Sequence, residues 1–397
     1  MTDFFYLPEH LLFLKDSVEK TDDNCDLQIY SFKSCTNESS NELKAYRGLI
    51  FNGTTLVATS LGYTSEYNED ELSKIPEDIT SQLQNYSFFP SEEGTLLRVF
   101  FHKKWYLSTH RKIDAFKSRW GSGDSFGEIF VSSLEKTFDE LTSTMNPYHV
   151  YFFLIRNTKD TRVVSHPPSK PTIYHIGTLL NNETFTLDYD IGVPKQEKIM
   201  FTNMQEIYNY IVNLDPYKSQ GIIAFSNDGT GKHIKLISSK YQQFLRIRDN
   251  EPDLSFRFLQ LWRDQTSNLF QTFIELYKEE YKSKINIYTS YSFKVAKYLH
   301  NMYFQKFIKK EKIVCQKEEW SILRNVHEWF WAERTTRKVT FDVMYKMMLQ
   351  DVNLRSYHRI LKKMMGVINK NKDNIQIEDN TDSTVVKIDN KDIDMVD

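Results

Sequence analysis

Up to Arg248 the chain alternates short apolar runs with polar turns, and beyond it the apolar residues recur with a helical period. Gly48 to Ala58, around Asn52-Gly53, and Gly94 to Leu107, around Lys103-Lys104, read as β-hairpins. Val, Phe, Tyr and Thr suit a pleated, half-buried surface, and Asn-Gly favours a tight turn. Further strands are expected at Tyr148 to Ile155, Thr172 to Leu180, Gly221 to Ser226 and His233 to Ile237, with helices at Asp70 to Gln84, Phe126 to Met145 and Met204 to Val212. This order has no regular strand-helix-strand repeat and implies an α+β body. Leu269, Phe270, Phe273, Leu276, Tyr277 and Tyr281 then fall on one helical stripe. So do Val295, Tyr298, Leu299, Met302 and Tyr303; Trp320, Leu323, Val326 and Phe330; and Phe341, Met344 and Met347, with Thr340 placed to cap the last. An all-helical C-terminal domain over 255–366 follows, after a body over 1–254. Past Gly366 aromatic residues vanish and Asn, Asp and Lys dominate, which predicts a disordered acidic tail over 367–397.

Charge sharpens this division. The net charge of −2 hides 26 basic against 34 acidic residues from Met1 to Leu254, 21 against 11 from Ser255 to Gly366, and 4 against 8 after that. A basic helical block beside an acidic body suits a polyanion-binding module, since clustered Lys and Arg release counterions from phosphates; it equally suits a solvated helical surface. With 40% apolar and 26% charged residues the chain is ordinary for a globular protein, which excludes a fibrous repeat or disorder throughout. No apolar run approaches the roughly 18 residues of a membrane span. The first residues carry acids and a Pro without a basic stretch, so no signal peptide is expected. Cys25, Cys35 and Cys315 are too few and scattered for a disulfide framework or a zinc site, and a reducing, cytoplasmic setting is expected.

Six segments of the body resemble, in order and spacing, the covalent nucleotidyltransferase (ligase) fold, and within it the RNA ligases of the bacteriophage T4 RNA ligase 1 family. Tyr46-Arg47-Gly48-Leu49-Ile50-Phe51 is similar to the Arg-Gly-apolar strand ahead of the ligase active site, and Ser91-Glu92-Glu93-Gly94-Thr95-Leu96 to motif I, Lys-x-Asp-Gly-Ser. Leu107-Ser108-Thr109-His110-Arg111, followed by Ser118-Arg119-Trp120-Gly121, resembles the Ser- and Lys-rich strand after motif I. Tyr151-Phe152-Phe153-Leu154 with Arg162-Val163-Val164 resembles motif III and its following strand. Gln220-Gly221-Ile222-Ile223-Ala224 resembles motif IV, Glu-Gly-x-Val, and Ile234-Lys235-Leu236-Ile237-Ser238 resembles motif V, Lys-x-Lys-Ser. A helical domain also follows in that family. The resemblance implies antiparallel sheets and a nucleotidyltransferase-like body, and the composition with degenerate RNA-repair motifs resembles proteins of large cytoplasmic DNA viruses.

The family's reaction needs a Lys nucleophile to attack the α-phosphate of ATP, with metal and basic groups neutralising the developing charge. Ser91 stands at that position, Phe153 and Gln220 at the motif III and IV carboxylates, and Ile237 at one motif V lysine, while Lys235 keeps the other. Ser cannot form a lysyl phosphoramidate, Phe cannot ligate a hard cation, and Gln offers only a neutral oxygen. The resemblance therefore implies an RNA-ligase-like protein that binds RNA or RNA ends without self-adenylylation. Two alternatives stand beside it: a divergent active ligase using ATP and Mg²⁺, and an interaction scaffold for a protein partner.

On this alignment Ser91, Phe153, Gln220 and Ile237 converge on one pocket lined by Arg47 and Lys235. Lys44, which also precedes a Gly and a strand, is a rival nucleophile. Arg47, Glu93, Arg111, Arg119, Gln220 and Lys235 are candidate phosphate or nucleotide contacts, because Arg pairs with phosphate through its planar fork. Salt bridges to Asp114, Asp124 and Glu128 would explain the same arginines, and Glu92 and Glu93 are expected to cap a turn in solvent. Strand alternation puts Thr109 and Arg111 on one face. In the helical block Trp329-Phe330-Trp331 with Arg334, Arg337 and Lys338, and the cluster Lys306, Lys309, Lys310 and Lys312, place aromatics beside cations, as single-stranded RNA binding exploits. Most of these rings are expected in the core, with at least one at the surface.

Overall fold

The computed structural model describes residues 14–120, 123–158, 163–263, 268–278 and 284–378, and these divide into two compact units, Met1–Asp253 and Leu254–Asp397. The described residues of the first unit form thirteen strands in three sheets. β1 (Val18–Asn24), β2 (Leu27–Phe32), β3 (Arg47–Asn52) and β4 (Thr55–Ala58) form an antiparallel meander. A second sheet takes β5 (Ser65–Asn68) and β6 (Tyr86–Ser91) together with β12 (Gly221–Ser226) and β13 (His233–Ile237), in the order β5-β13-β12-β6. The third contains β7 (Thr95–His102), β8 (Lys104–Ser108), β9 (Val150–Arg156), β10 (Thr172–Leu180) and β11 (Thr184–Thr186), in the order β11-β10-β9-β7-β8. The architecture is α+β with antiparallel sheets, apart from the parallel pairing of β5 with β13.

Side-chain alternation sorts the core into layers. On the second sheet Ile222, Ala224, Ile234 and Leu236 pack under Ile207 and Ile211 of the helix Met204–Val212. The opposite face, with Phe89 and Phe225, meets Phe100, Val150 and Phe152 of the third sheet and Leu27, Ile29 and Ile50 of the first. All three sheets therefore share one apolar centre. The other face of the third sheet, with Leu97, Val99, Tyr151 and Phe153, is covered by Ile129 and Phe130. Two glycines allow close backbone approach. Gly48 has φ +89, and a Cβ there would meet the His110 carbonyl oxygen at 2.4 Å; at Gly94 it would meet that of Ile155 at 2.6 Å.

Expected helices are shorter than their apolar spacing suggests. The segment 70–84 is a 3-10 turn (Glu69–Lys74), a helix (Glu77–Ser81) and a second turn (Leu83–Asn85), because Pro76 has no N–H to continue the first. The segment 126–145 splits into Phe126–Ser133 and Phe138–Ser143, each opened by its own capping box, Ser125 with Glu128 and Thr137 with Glu140.

The second unit is helical, with helices at Leu254–Arg263, Leu269–Leu276, Lys284–Tyr303, Lys317–Ala332, Phe341–Gln350 and Leu354–Glu378. Thr340 caps its helix through the Val343 amide at 3.3 Å. Tyr281 lies outside the described residues. The final helix continues through Glu378, beyond the Gly366 boundary expected for a disordered tail, and 379–397 lie outside the described residues. No helix among the described residues is long and apolar enough to cross a membrane.

His175 on β10 gives the fold a pH dependence. It is 1% exposed, its Nε2 lies 3.0 Å from Thr178 Oγ1, and burial pushes it down to about 4 from 6.5. The unfolded chain takes up this proton as pH falls below 6.5 while the folded chain stays neutral down to about 4. Urea unfolding across that window should show stability falling by about 1.4 kcal/mol per pH unit from this group, with a flatter slope in His175→Gln.

Candidate functional site

The site forms where β6 ends. Ser91 pairs with Gly221, and Gly221 with Ile237, so three motif positions lie in one row across the second sheet. The backbone is locked there: the Ser91 carbonyl accepts from Gln220 N at 2.8 Å and from Ser219 Oγ at 2.7 Å. Gln220 Oε1 then accepts from Ser91 Oγ at 3.3 Å and from Lys235 Nζ at 3.1 Å. One amide oxygen thus joins the motif I, IV and V positions. Lys235 also faces Glu66, its strand partner on β5, at 3.5 Å.

Around this junction positive charge accumulates. Arg47 Nη1 donates to Gly62 O at 3.2 Å and to Thr64 Oγ1 at 3.1 Å, and Thr64 Oγ1 lies 2.8 Å from His233 Nε2. Burial, reinforced by Arg47 and opposed by Glu66, holds the Lys235 ammonium below its ordinary value. Burial, then Arg47 and Lys235, push His233 down to about 4. Arg98 is 2% exposed and among the described residues makes no carboxylate pair: Nε donates to Ser108 Oγ at 2.8 Å and Nη1 to Thr59 O at 3.0 Å. Burial pushes its guanidinium down to about 9, and its Nη2 is buried without a hydrogen-bond partner. Burial, then the Arg47, Arg111 and Arg98 charges, push His110 down to about 4.

Other candidates are employed elsewhere. Phe153 does not join the junction; it faces the opposite side of β9, edge-on to Phe130 at 5.1 Å, while its neighbour Phe152 faces the shared centre. Glu92 and Glu93 are not solvated turn caps. Glu92 pairs with Arg156 at 2.9 Å. Glu93 is buried and accepts from Val163 N at 3.0 Å, Val164 N at 2.6 Å, Ser165 N at 2.7 Å and Tyr241 Oη at 2.8 Å. Arg111 is exposed and pairs with Glu19, while Thr109 is buried, because β8 ends at Ser108 and 109–112 form a turn closed by Thr109 N to Lys112 O. Arg119 is exposed, with its charge felt by Glu128. Lys44 donates to Asn37 O at 2.5 Å from the helix Asn41–Ala45, with partners separate from those of Gln220. Gly121 and Arg162 lie outside the described residues.

In the helical unit, Trp331 and Trp320 are exposed, and Trp329 and Phe330 are half-buried, so none of the Trp329-Phe330-Trp331 rings is core. Arg334 lies 5.1 Å over Trp331. Arg337 lies 4.8 Å over Trp329 and donates to Trp329 O and Glu333. Lys309, Lys310 and Lys338 are exposed.

No protein-family model matches the chain. It is 29% identical over 315 residues to the immediate-early protein ICP-46 homolog of Invertebrate iridescent virus 6, covering 72% of this chain and 68% of that protein. It is 30% identical over 234 residues to the homolog of Invertebrate iridescent virus 3, covering 56% and 52%. Its relatives in sequence thus include viral proteins. Among solved structures it is similar to a putative ATP-dependent DNA ligase from Aquifex aeolicus (13% identity, 83% of this chain and 87% of that one, TM-score 0.42). It is also similar to an archaeal ATP-dependent RNA ligase (11%, 67% and 68%, TM-score 0.38). None of these likenesses singles out the phage branch.

The Glu93 carboxylate supplies a direct test of how the site is held. Glu93→Gln keeps the shape but removes the charge that three backbone amides and a phenol share, and should cost about 2–3 kcal/mol in urea unfolding. Glu92→Gln, which leaves the elbow backbone its partners, should cost less.

Proposed function

We propose that this chain is a ligase-fold protein that binds RNA, or RNA ends, through phosphate and does not adenylylate itself. The observation that carries this reading is the Gln220 amide oxygen, which accepts from both Ser91 and Lys235 where the resemblance expects a lysine nucleophile and a carboxylate. An amide there neither takes a proton from a nucleophile at neutral pH nor holds a metal by charge. Phe153 faces away from the junction, and the carboxylate beside Lys235, Glu66, is engaged with that lysine. These residues do not fit a catalytic divalent metal.

The same surroundings favour an anion. Arg47 and His233 share Thr64 Oγ1, Lys235 stands two residues beyond His233 on β13, and among the described residues the buried Arg98 Nη2 is a donor still without an acceptor. A phosphate brings acceptors and charge together. RNA is the polymer the resemblance implies, and the exposed cations of the helical unit, Lys309, Lys310, Arg334 and Lys338, supply further phosphate contacts.

One observation favours a second reading. Lys235 is half-buried with its pKa lowered, which is how a lysine becomes nucleophilic, so a divergent active ligase would use Lys235.

Incubation with α-labelled ATP and Mg²⁺ or Mn²⁺ separates the two: no covalent label is expected, and a band lost in Lys235→Met, or in Lys44→Ala, would make the active ligase the better account. Filter binding should show affinity for a 5′-phosphorylated single-stranded RNA that weakens about tenfold or more in Lys235→Met. Glu66→Gln, which frees Lys235 from its carboxylate, should strengthen it. Absence of any RNA binding at low salt would leave the scaffold reading.

A further inference from the structure

The helical unit carries a run of aromatic rings that its core does not absorb. Phe307 stacks on Trp320 at 6.1 Å and 20°, and on His327 at 3.9 Å and 19°. His327 meets Trp331 edge to face at 5.9 Å. Trp320 is 41% exposed and Trp331 52%. Both ends are flanked by cations, Lys306 at 5.2 Å over Trp320 and Arg334 at 5.1 Å over Trp331. Phe307 sits in a π-helical turn, Phe304–Ile308, a backbone irregularity that is common at functional sites.

Hydrogen bonding fixes how Trp331 is presented. An indole N–H only donates, so the 2.6 Å bond from Trp331 Nε1 to His327 Nε2 requires a neutral His327 with its proton on Nδ1, 3.1 Å from Tyr303 Oη. Burial lowers the His327 pKa and so favours that neutral form. Trp331 is therefore pinned by its nitrogen edge. Neither His327 nor Phe330 stacks flat upon it, as both meet it near a right angle.

We propose that Trp320, Phe307, His327 and Trp331 form a stacking surface for unpaired bases of single-stranded RNA, with Lys306 and Arg334 meeting the adjoining phosphates. The inference deepens the RNA-binding reading and rests on it. Two exposed indoles beside cations match what base stacking with phosphate neutralisation needs, and stacking on each base is worth about 1–3 kcal/mol. Duplex RNA, with its bases already stacked, offers no such partner. The surface excludes Trp329, whose ring is covered by an Arg337 guanidinium that is itself tied to Trp329 O and Glu333.

The test uses the full chain, unstructured oligouridylate and a duplex of equal length. Oligouridylate should quench indole fluorescence, and Trp331→Ala and Trp320→Ala should each weaken its binding about 5- to 100-fold while leaving duplex binding unchanged. Trp331→Phe, which keeps a ring, should recover part of the loss, and His327→Phe, which removes the acceptor for the indole N–H, should weaken binding with the fold intact by circular dichroism. RNA binding that survives both alanine variants at full strength would overturn this surface while leaving the RNA reading standing. No binding of either RNA by the unmodified chain would overturn both.

Discussion

A buried carboxylate held by backbone amides ties the body together. Glu93 lies in the elbow where the chain leaves the second sheet and enters the third, and it is neutralised by three consecutive backbone amides, Val163 to Ser165, and by the Tyr241 phenol. A buried charge is tolerable only when its lone pairs are satisfied, so these segments are tied to one point. The elbow in turn sets Ser91, whose carbonyl takes Gln220 N and Ser219 Oγ, and Gln220 sets Lys235. Gly94 completes the constraint, since a side chain there would strike the Ile155 carbonyl.

Past the elbow the site is arranged for charge rather than for proton transfer. Two of its three central groups are neutral, and the third, Lys235, has a carboxylate opposite. Arg98 is buried with no counter-charge among the described residues, which only the surrounding fold makes tolerable. Such an arrangement suits the anion proposed above, because the donors are held in place by the fold.

Much of this was legible in the sequence where local rules and tertiary packing agree. The hairpin around Asn52-Gly53, the strands β12 and β13 and the helix Met204–Val212 stand where alternation and caps put them. β6 gave no alternation because it is covered on both faces, Phe88 by one apolar layer and Phe89 by another. β1, with the sequence VEKTDDN, is too polar to announce a strand. Phe152 and Phe153 are equally apolar, and only the register of β9 against β7 decides which one faces the shared centre. Glu66 had no signal at all, since it reaches Lys235 through a four-residue parallel strand. The tryptophans of the helical unit follow an apolar stripe, yet two of them end at the surface, because periodicity records which residues share a face and not whether that face is covered.

The Gln220 amide has a consequence for how such a site changes over generations. Glutamine and glutamate codons differ in one base, so a carboxylate can arise beside Lys235 in a single mutational step, at a position whose oxygen already accepts from that lysine. Serine and lysine codons differ in at least two. A lineage carrying this pocket therefore gains a charged oxygen more readily than an amine nucleophile, and selection acting on intermediates would first meet a protein with a salt-bridged Lys235 and still no amine at position 91.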